Sequence, residues 1–418
     1  MIVDLKKLTL DSVLSKLNVT EKNVTVLGSS TSHGWQPTVA WNPVQVFRID
    51  SSQTAIQIPS LVSFVNEQHA ARRLLVGYLS YDLGARLHNV ELTTDNDLKT
   101  PLAYIHSFDN WITFDDYGST VNASMSSFIK EVRQIMSRPS STVPDRLFDK
   151  KLSPTWSRAS YNTAYQNVQR YIKAGDIYQA NLTHRLEGTA HASGVAIFRK
   201  VNRTSNADFQ SYIDGNNFEI ISASPERFVR IKDGIIVTTP IKGTRARGAN
   251  QAEDEFLQSD LASNPKDKAE LDMITDLMRN DVGEISQIGS VEVVARRLLT
   301  SYPTLWHAHS EIHGKLLADI SPIEALISLM PGGSITGCPK KRAIEIIDEV
   351  EEKQRGIYTG SIFTLKPDGE LDANIAIRTM VKKEDNVYLS VGGGIVYDSK
   401  QGSEYQETLQ KAASFLKL

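Results

Sequence analysis

Apolar and polar positions alternate in short runs over the first third of the chain. "VTVLGS", "VQVFRID" and "RLLVGYLSYDLG" have strand length and are broken by Gly, Pro and Asn. From about 117 to 137 the pattern predicts a helix. "SRPSSTVPDR" at 137–146, rich in Ser and Pro, reads as a linker. It divides the chain into an N-terminal region, 1–140, and a second region, 150–418.

Beyond the linker the elements are more regular. Residues 160–174, "SYNTAYQNVQRYIKA", predict a helix with Ser160 as its N-cap. "GDIYQANLTHRLEG" reads as a strand. "FEIISASPERFVRIKDGIIVTTPIKGT" reads as successive strands, with a turn at Lys232-Asp233-Gly234. "KDKAELDMITDLMRNDVGEI" is helical, "IYTGSIFTL" and "NVYLSVGGGIVYD" are strands, and a final helix begins near 403. No internal repeat or low-complexity tract is present. Strands and helices mix without a steady βαβ alternation, which predicts an α+β fold with largely antiparallel sheet.

Two of these helices carry acids that need explaining. On the helix predicted over 266–283, Ile274, Leu277 and Met278 form an apolar stripe. At ~100° per residue, Glu270 and Asp281 fall within or beside it. A carboxylate there needs a partner, a proton or a cation. A buried salt bridge is one reading and a metal site another. On the last helix Tyr405, Leu409, Ala412 and Leu416 share a face, with Glu404, Glu407 and Lys411 opposite. Glu407 and Lys411 stand four residues apart, as in a solvated ion pair. A Mg²⁺ site built from oxygen ligands needs one or two carboxylates plus substrate oxygens, which Glu270 and the 404/407 pair could supply. "MPGGSITGCPKKRA" offers backbone N–H groups near a helix start, where an anion binds. "SVGGGIVYD" lets backbone approach a ligand closely.

Composition narrows the classes. With 40% hydrophobic and 23% charged residues, the chain can bury a large core. A formal net charge of -3 excludes a basic nucleic-acid footprint. No run reaches the roughly 18 apolar residues of a membrane span, and "MIVDLKKLTLD" lacks the apolar centre of a signal peptide. Cys338 is the only cysteine, which excludes an intrachain disulfide and a cysteine-cluster metal site and fits a reducing cytoplasm.

"SPERF", "PIKGTRARG", "DLMRNDVGEI", "PGGSITGCPKKRAIEIIDEVE", "YTGSI" and "GGGIVYDSKQGSEYQETLQKA" follow one another in that order. Together they resemble the chorismate-utilising enzymes, a family that includes component I of aminodeoxychorismate synthase and of anthranilate synthase, isochorismate synthase and salicylate synthase. The resemblance is strong over 150–418, and "GYLSYDLGARL" and "WNPVQVF" extend it toward the N-terminus. It implies the anthranilate synthase component I-like fold: two facing, largely antiparallel sheets with outer helices, in one intertwined catalytic unit. A division near 140–150 is then descriptive only.

Two positions select among the family's chemistries. Gln179 stands where isochorismate and salicylate synthases resemble a water-activating lysine, and glutamine cannot serve as that base. The resemblance therefore points to the branch that uses ammonia. Lys242 stands in "PIKGT" where anthranilate synthases resemble "PIAGT", which points to the aminodeoxychorismate synthase branch with Lys242 as nucleophile. An amine with an unshifted pKa near ~10.4 is neutral in about one molecule in several thousand at pH 7, a penalty of roughly 4–5 kcal/mol. The site is expected to lower that pKa by desolvation or by nearby cations such as Mg²⁺ or Arg245.

The resemblance implies the other roles by position. Glu226 would be the general acid, a role that needs a carboxyl still protonated near neutrality. The alternative for it is an exposed acid beside Arg227. Glu270 and Glu407 would bind Mg²⁺, with Glu404 beside them. Arg378 and Lys411 would hold substrate carboxylates. Gln179, Thr244, Thr336, Gly337 and Tyr358 would line the pocket, with the Gly393-Gly394 backbone close by. His307 matches the family's active-site histidine, while His309 and His313 depart from its usual small or hydroxyl residues.

The substrates implied are chorismate and ammonia. A glutaminase needs a cysteine activated by histidine, and Cys338 sits in "SITGCPK", where relatives often resemble an alanine. The expected nitrogen source is a separate glutamine amidotransferase subunit (component II) or free ammonia. A separate lyase would take the product, 4-amino-4-deoxychorismate, toward 4-aminobenzoate and folate. Leu27-Gly28-Ser29 lacks the glutamate of the "LES" stretch in tryptophan-regulated relatives, so feedback by tryptophan is not expected. Two other readings stay open: anthranilate synthase component I, and a non-catalytic ligand-binding subunit.

Overall fold

The computed structural model describes residues 8–17, 23–29, 33–52, 57–124, 126–302 and 305–418. The first seven residues, which hold most of the stretch read for a signal peptide, lie outside the described residues. Strands of both regions interleave in two sheets. An 11-stranded sheet carries Gln179–Thr189 beside Asn386–Ile395, then Thr379–Lys383, Glu219–Ser224, Phe209–Asp214 and Thr25–Gly28. A 10-stranded sheet runs from Ile241–Ala246 and Leu305–Lys315 through Arg227–Lys232 and Leu371–Asn374 to Leu74–Leu79 and Ala103–Phe108. All the paired strands are antiparallel.

Side-chain alternation builds the layers. In "LLVGYL" of Leu74–Leu79, Leu74, Val76 and Tyr78 face inward onto Leu27, Phe209, Ile213 and Ile220 of the other sheet. Leu75 and Leu79 face outward, onto a cluster that includes Leu61 and Val65 of helix Ile58–Ala70. Both faces are covered, so the strand reads as unbroken apolar sequence. The outer face of the 11-stranded sheet is covered by Phe128, Ile197, Phe198 and Phe415. The predicted α+β architecture of two facing sheets with outer helices is the one observed. Among the described residues no helix is long and apolar enough to cross a membrane.

Local expectations need correction in four places. The stretch over 117–137 is not one helix: Gly118–Asn122 is a strand and Ser126–Met136 a helix. That strand is a half-exposed sheet edge with one apolar residue, so no alternation marks it; its turn is set by Tyr117 N–H donating to Asp115 Oδ1 at 2.8 Å. Residues 137–149 are irregular, as a linker should be, but anchored. Ser141 N–H donates to the Ser15 carbonyl at 2.6 Å, and Arg199 donates to the Ser141 carbonyl at 3.0 Å. The helix at 160 starts earlier, at Arg158, because Ser157 rather than Ser160 is the N-cap: Ser157 Oγ accepts Ser160 N–H at 3.0 Å. On the last helix, Gln401–Lys411, Glu404 and Thr408 are buried and Leu416 beyond it is exposed. The reason is its seat against the Gly392–Gly394 stretch, where small residues let the polar side approach.

Candidate active site

The lysine of "PIKGT" is presented by a β-bulge. Ile241 lies opposite His309 and Thr244 opposite His307, so Lys242 and Gly243 together face a single partner residue. Gly243 takes φ +93°, and a methyl group there would meet Leu261 Cδ1 at 2.8 Å. A bulge of this kind bends its strand and re-aims the neighbouring side chain. Here it puts Lys242 on the wall of a cavity of about 550 Å³.

Four further elements bring charged residues to the wall. Glu226 enters just ahead of strand Arg227–Lys232, and Arg378 just ahead of Thr379–Lys383. Arg378 has φ +49°, a conformation uncommon for a side chain larger than glycine and associated with sites under functional constraint. Helix Pro265–Glu284 contributes Lys266 and Glu270, and helix Gln401–Lys411 contributes Glu404, Glu407 and Lys411. Tyr358 and Asn181 close the floor. The floor is braced by the buried Glu351–Arg355 ion pair at 2.6 Å, whose guanidinium donates to the carbonyls of Asn181 and Ile335.

Burial sets the protonation states. It pushes the Glu226 carboxyl up to about 7, against Lys242, the Ile241 N–H, Lys411 and Arg378, which all favour the anion. Burial, with Arg378 adding to it, holds His307 down to about 4, so the imidazole is neutral at pH 7. Its Nδ1 lies 2.8 Å from Thr244 Oγ1. Burial raises Tyr358 to about 12 and depresses Arg378 from the usual guanidinium range. Glu404 is pushed up by burial. For Glu407 the same burial is outweighed by Lys411, Lys242 and Lys266, and its carboxyl is lowered. Lys411 Nζ lies 2.7 Å from Glu407 Oε1 and donates to the Gly392 carbonyl at 3.1 Å.

The cavity thus gathers Lys242, Glu226, His307, Thr244, Tyr358, Arg378, Gly394, Lys411, Glu270, Glu404 and Glu407. Gly393 backs the carboxylates: a methyl on it would lie 3.7 Å from Glu404 Oε2 and from Lys411 Nζ. Gln179, Thr336 and Gly337 are not on the wall. Gln179 is buried behind Gly394, 3.3 Å from where a methyl on that glycine would sit. Thr336 donates its hydroxyl to the Gly332 carbonyl at 2.9 Å, and Gly337 pairs with Ala180. Arg245 is not a spare cation for Lys242, because Asp260 at 2.6 Å and Asp267 at 2.9 Å hold it. Asp281 proves to be the buried salt bridge, with Lys340 at 2.9 Å. Sequence reasoning missed Lys266 and Asn181. Lys266 stands one helical turn before Glu270, and Asn181 two strand residues after Gln179, so the two periodicities could have found them.

Glu270, Glu404 and Glu407 supply hard oxygen donors on one cavity wall, the chemistry Mg²⁺ takes. Among the described residues no three such groups converge closely enough to hold a metal ion. Lysines hold two of the carboxylates: Lys266 stands 3.6 Å from Glu270 and Lys411 2.7 Å from Glu407. The donor set fits the metal by type, with its carboxylates turned to lysines.

Two interleaved antiparallel sheets around a cavity with a lysine, a carboxyl near neutrality and a trio of acids define a class of enzyme fold. The solved anthranilate synthase component I of Streptococcus pneumoniae superposes with a TM-score of 0.79 and 27% identity, covering 96% of this chain and 93% of that one. The family model described as chorismate binding enzyme matches residues 25–417, and the chain belongs to that family. It is 36% identical to aminodeoxychorismate synthase component 1 of Klebsiella aerogenes over 345 residues, 82% of this chain and 76% of that protein. It is 41% identical to an anthranilate synthase component 1 of Haloarcula marismortui over 258 residues, 62% of this chain and 51% of that one.

Proposed function

We propose that this chorismate-binding enzyme is the aminating subunit that converts chorismate and ammonia to 4-amino-4-deoxychorismate. The observation that carries the reading is Lys242 on a bulge in the same cavity as Glu226, a carboxyl poised near 7. Neutral Lys242 adds at C2 of the ring as both conjugated double bonds shift and the C4–O bond breaks. Glu226 gives its proton to the departing hydroxyl, which leaves as water. Ammonia then bonds to C4, both double bonds shift back, the C2–N bond to Lys242 breaks, and the Glu226 carboxylate takes the surplus proton. Two displacements in sequence bring the amine in on the face from which the hydroxyl left. Arg378 and Lys411, which line the cavity, would pair with the two carboxylates of the substrate, and a neutral His307 adds no charge to the pocket. Mg²⁺ held by Glu270, Glu404 and Glu407 would offset the charge of a substrate carboxylate.

Nitrogen would come from a separate glutamine amidotransferase or from free ammonium, because the Cys338 thiol is pushed up by burial, the reverse of an activated thiolate. A lyase would then act on the product on the way to 4-aminobenzoate.

The test is purified protein with chorismate, Mg²⁺ and an ammonium salt, followed by chromatography with and without an added lyase. An amino-chorismate that the lyase converts to 4-aminobenzoate is the expected result. Fluorescent anthranilate with release of pyruvate would establish the alternative that the Haloarcula relative suggests. Absence of any turnover would leave a ligand-binding subunit.

A further inference from the structure

Lys266 has no part in the chemistry above, yet it stands among the acids. It sits on the first turn of helix Pro265–Glu284, whose start is fixed by Pro265 and by Asn264, which accepts Asp267 N–H at 3.1 Å. Its ammonium lies 3.6 Å from Glu270 Oε1, one turn further along. Glu404 and Glu407 reach the same cavity from a different helix. Glu407 has Lys411 as a close partner, whereas Glu270 is paired with Lys266.

We propose that Lys266 is a built-in counter-ion, which occupies the carboxylate set of Glu270, Glu404 and Glu407 in the metal-free enzyme and competes with the divalent cation for it. Three acids in one cavity repel one another unless a cation stands between them. The lysine supplies that charge at a distance too long for a tight ion pair, on a flexible four-carbon stem. Its side chain keeps 57% of its exposure, so the ammonium can withdraw into solvent when a metal ion enters. The carboxylates then exchange one cation for another, and the metal site stays closed to adventitious ions until substrate oxygens add to the metal's side of the balance.

The inference rests on reading these three acids as the Mg²⁺ ligands, and the test separates the two. Binding of Mg²⁺ is measured by calorimetry, and of Mn²⁺ by electron paramagnetic resonance, without chorismate. The proteins are wild type, Lys266→Met, Lys266→Gln and Glu404→Gln. Lys266→Met and Lys266→Gln should each bind the cation about 10-fold more tightly than wild type, the gain shrinking as salt rises. A merely structural role would move affinity the other way, since a damaged site binds less. Metal bound by wild type, lost in Glu404→Gln and unchanged or weakened in both lysine variants would overturn the proposal and keep the metal reading. Raised KM for chorismate with unchanged metal affinity would make Lys266 a substrate contact and overturn it too. No binding by any of the four proteins would remove both.

Discussion

The "SPERF" stretch serves two cavities with two adjacent residues. Glu226 faces the one of about 550 Å³, and Arg227 faces a larger one of about 1080 Å³ between the sheets, lined also by Leu27, Ser29 and Trp35. In the larger cavity the two buried acids are matched. Arg227 donates to both oxygens of Asp372 at 2.9 and 3.1 Å, and Arg230 and Lys366 stand 2.8 and 3.5 Å from Glu370. In the smaller one neither Lys242 nor Arg378 is held in an ion pair among the described residues, and the Glu226 carboxyl is left near neutrality. Volume would select the wrong cavity. Unmatched charge selects the one that can do chemistry, because a group whose partner is absent keeps reactivity for a substrate.

The most direct way to break the contrast is to remove the unmatched amine. Lys242→Met should reduce amination roughly 10³-fold or more, with the far-ultraviolet spectrum unchanged. A lysine-linked adduct should appear by mass spectrometry in wild type, and not in the variant, when ammonia is withheld.

Next in size is Glu226→Gln, expected to lower kcat about 10²–10⁴-fold. The sign of its pH dependence is fixed by burial. In the proposed role the acid form is the active one, and it is present below about 7 and lost above. At the ordinary value of 4.5 only roughly one carboxyl in three hundred would be protonated at pH 7. The kcat profile should therefore fall on the alkaline side of about 7 in wild type, and the glutamine variant should lose that limb.

Part of this contrast was legible in the sequence. Eleven of the fifteen residues singled out by motif line one cavity, because motif order records which strand ends and helix faces meet. The antiparallel α+β character was readable from the alternation in stretches such as "FEIISASPERFVRIKDGIIVTTPI", whereas the two facing sheets followed only from the resemblance of the motifs. What stayed hidden depends on partners far along the chain. The matched state of Arg227 depends on Asp372, 145 residues away. The withdrawal of Thr336 from the wall depends on the Gly332 carbonyl, which hydropathy does not report. The buried side of helix Gln401–Lys411 was misread because apolar spacing assumes a greasy neighbour, whereas this one is a glycine strand. Lys266 was passed over because a lysine at the start of a helix reads as a solvated charge.

A smaller effect should come from the bulge that presents the lysine. Gly243→Ala places a methyl 2.8 Å from Leu261 Cδ1 at a backbone with φ +93°. It should cost about 1–2 kcal/mol in chemical denaturation. As the bulge relaxes and Lys242 is re-aimed, kcat should fall about 10-fold. A variant with the stability loss and full kcat would separate the lysine's position from the glycine.

The smallest effect on activity is expected next door to Glu226, the proposed acid, at Arg227→Met. Asp372 is buried, and burial already pushes its carboxyl up in spite of Arg227. Deleting the guanidinium leaves that charge uncompensated, together with the bond Arg227 donates to the His33 carbonyl at 2.9 Å. Breaking one side of a buried pair typically costs about 3–5 kcal/mol, and with the Arg227 side chain 18% exposed about 2–3 kcal/mol is expected here. The loss should shrink as pH falls, because a carboxyl with a raised folded pKa takes up its proton earlier in the native state than in the unfolded chain. Measured by urea denaturation at pH 8 and at pH 5, the deficit should be larger at pH 8. Meanwhile kcat/KM for chorismate should stay within about threefold of wild type, since alternation along the strand turns residue 227 away from the reacting cavity. If the variant instead lost activity as Glu226→Gln does, while keeping its stability, the two cavities would be one functional unit. The charge-matching argument that separates them would then be wrong.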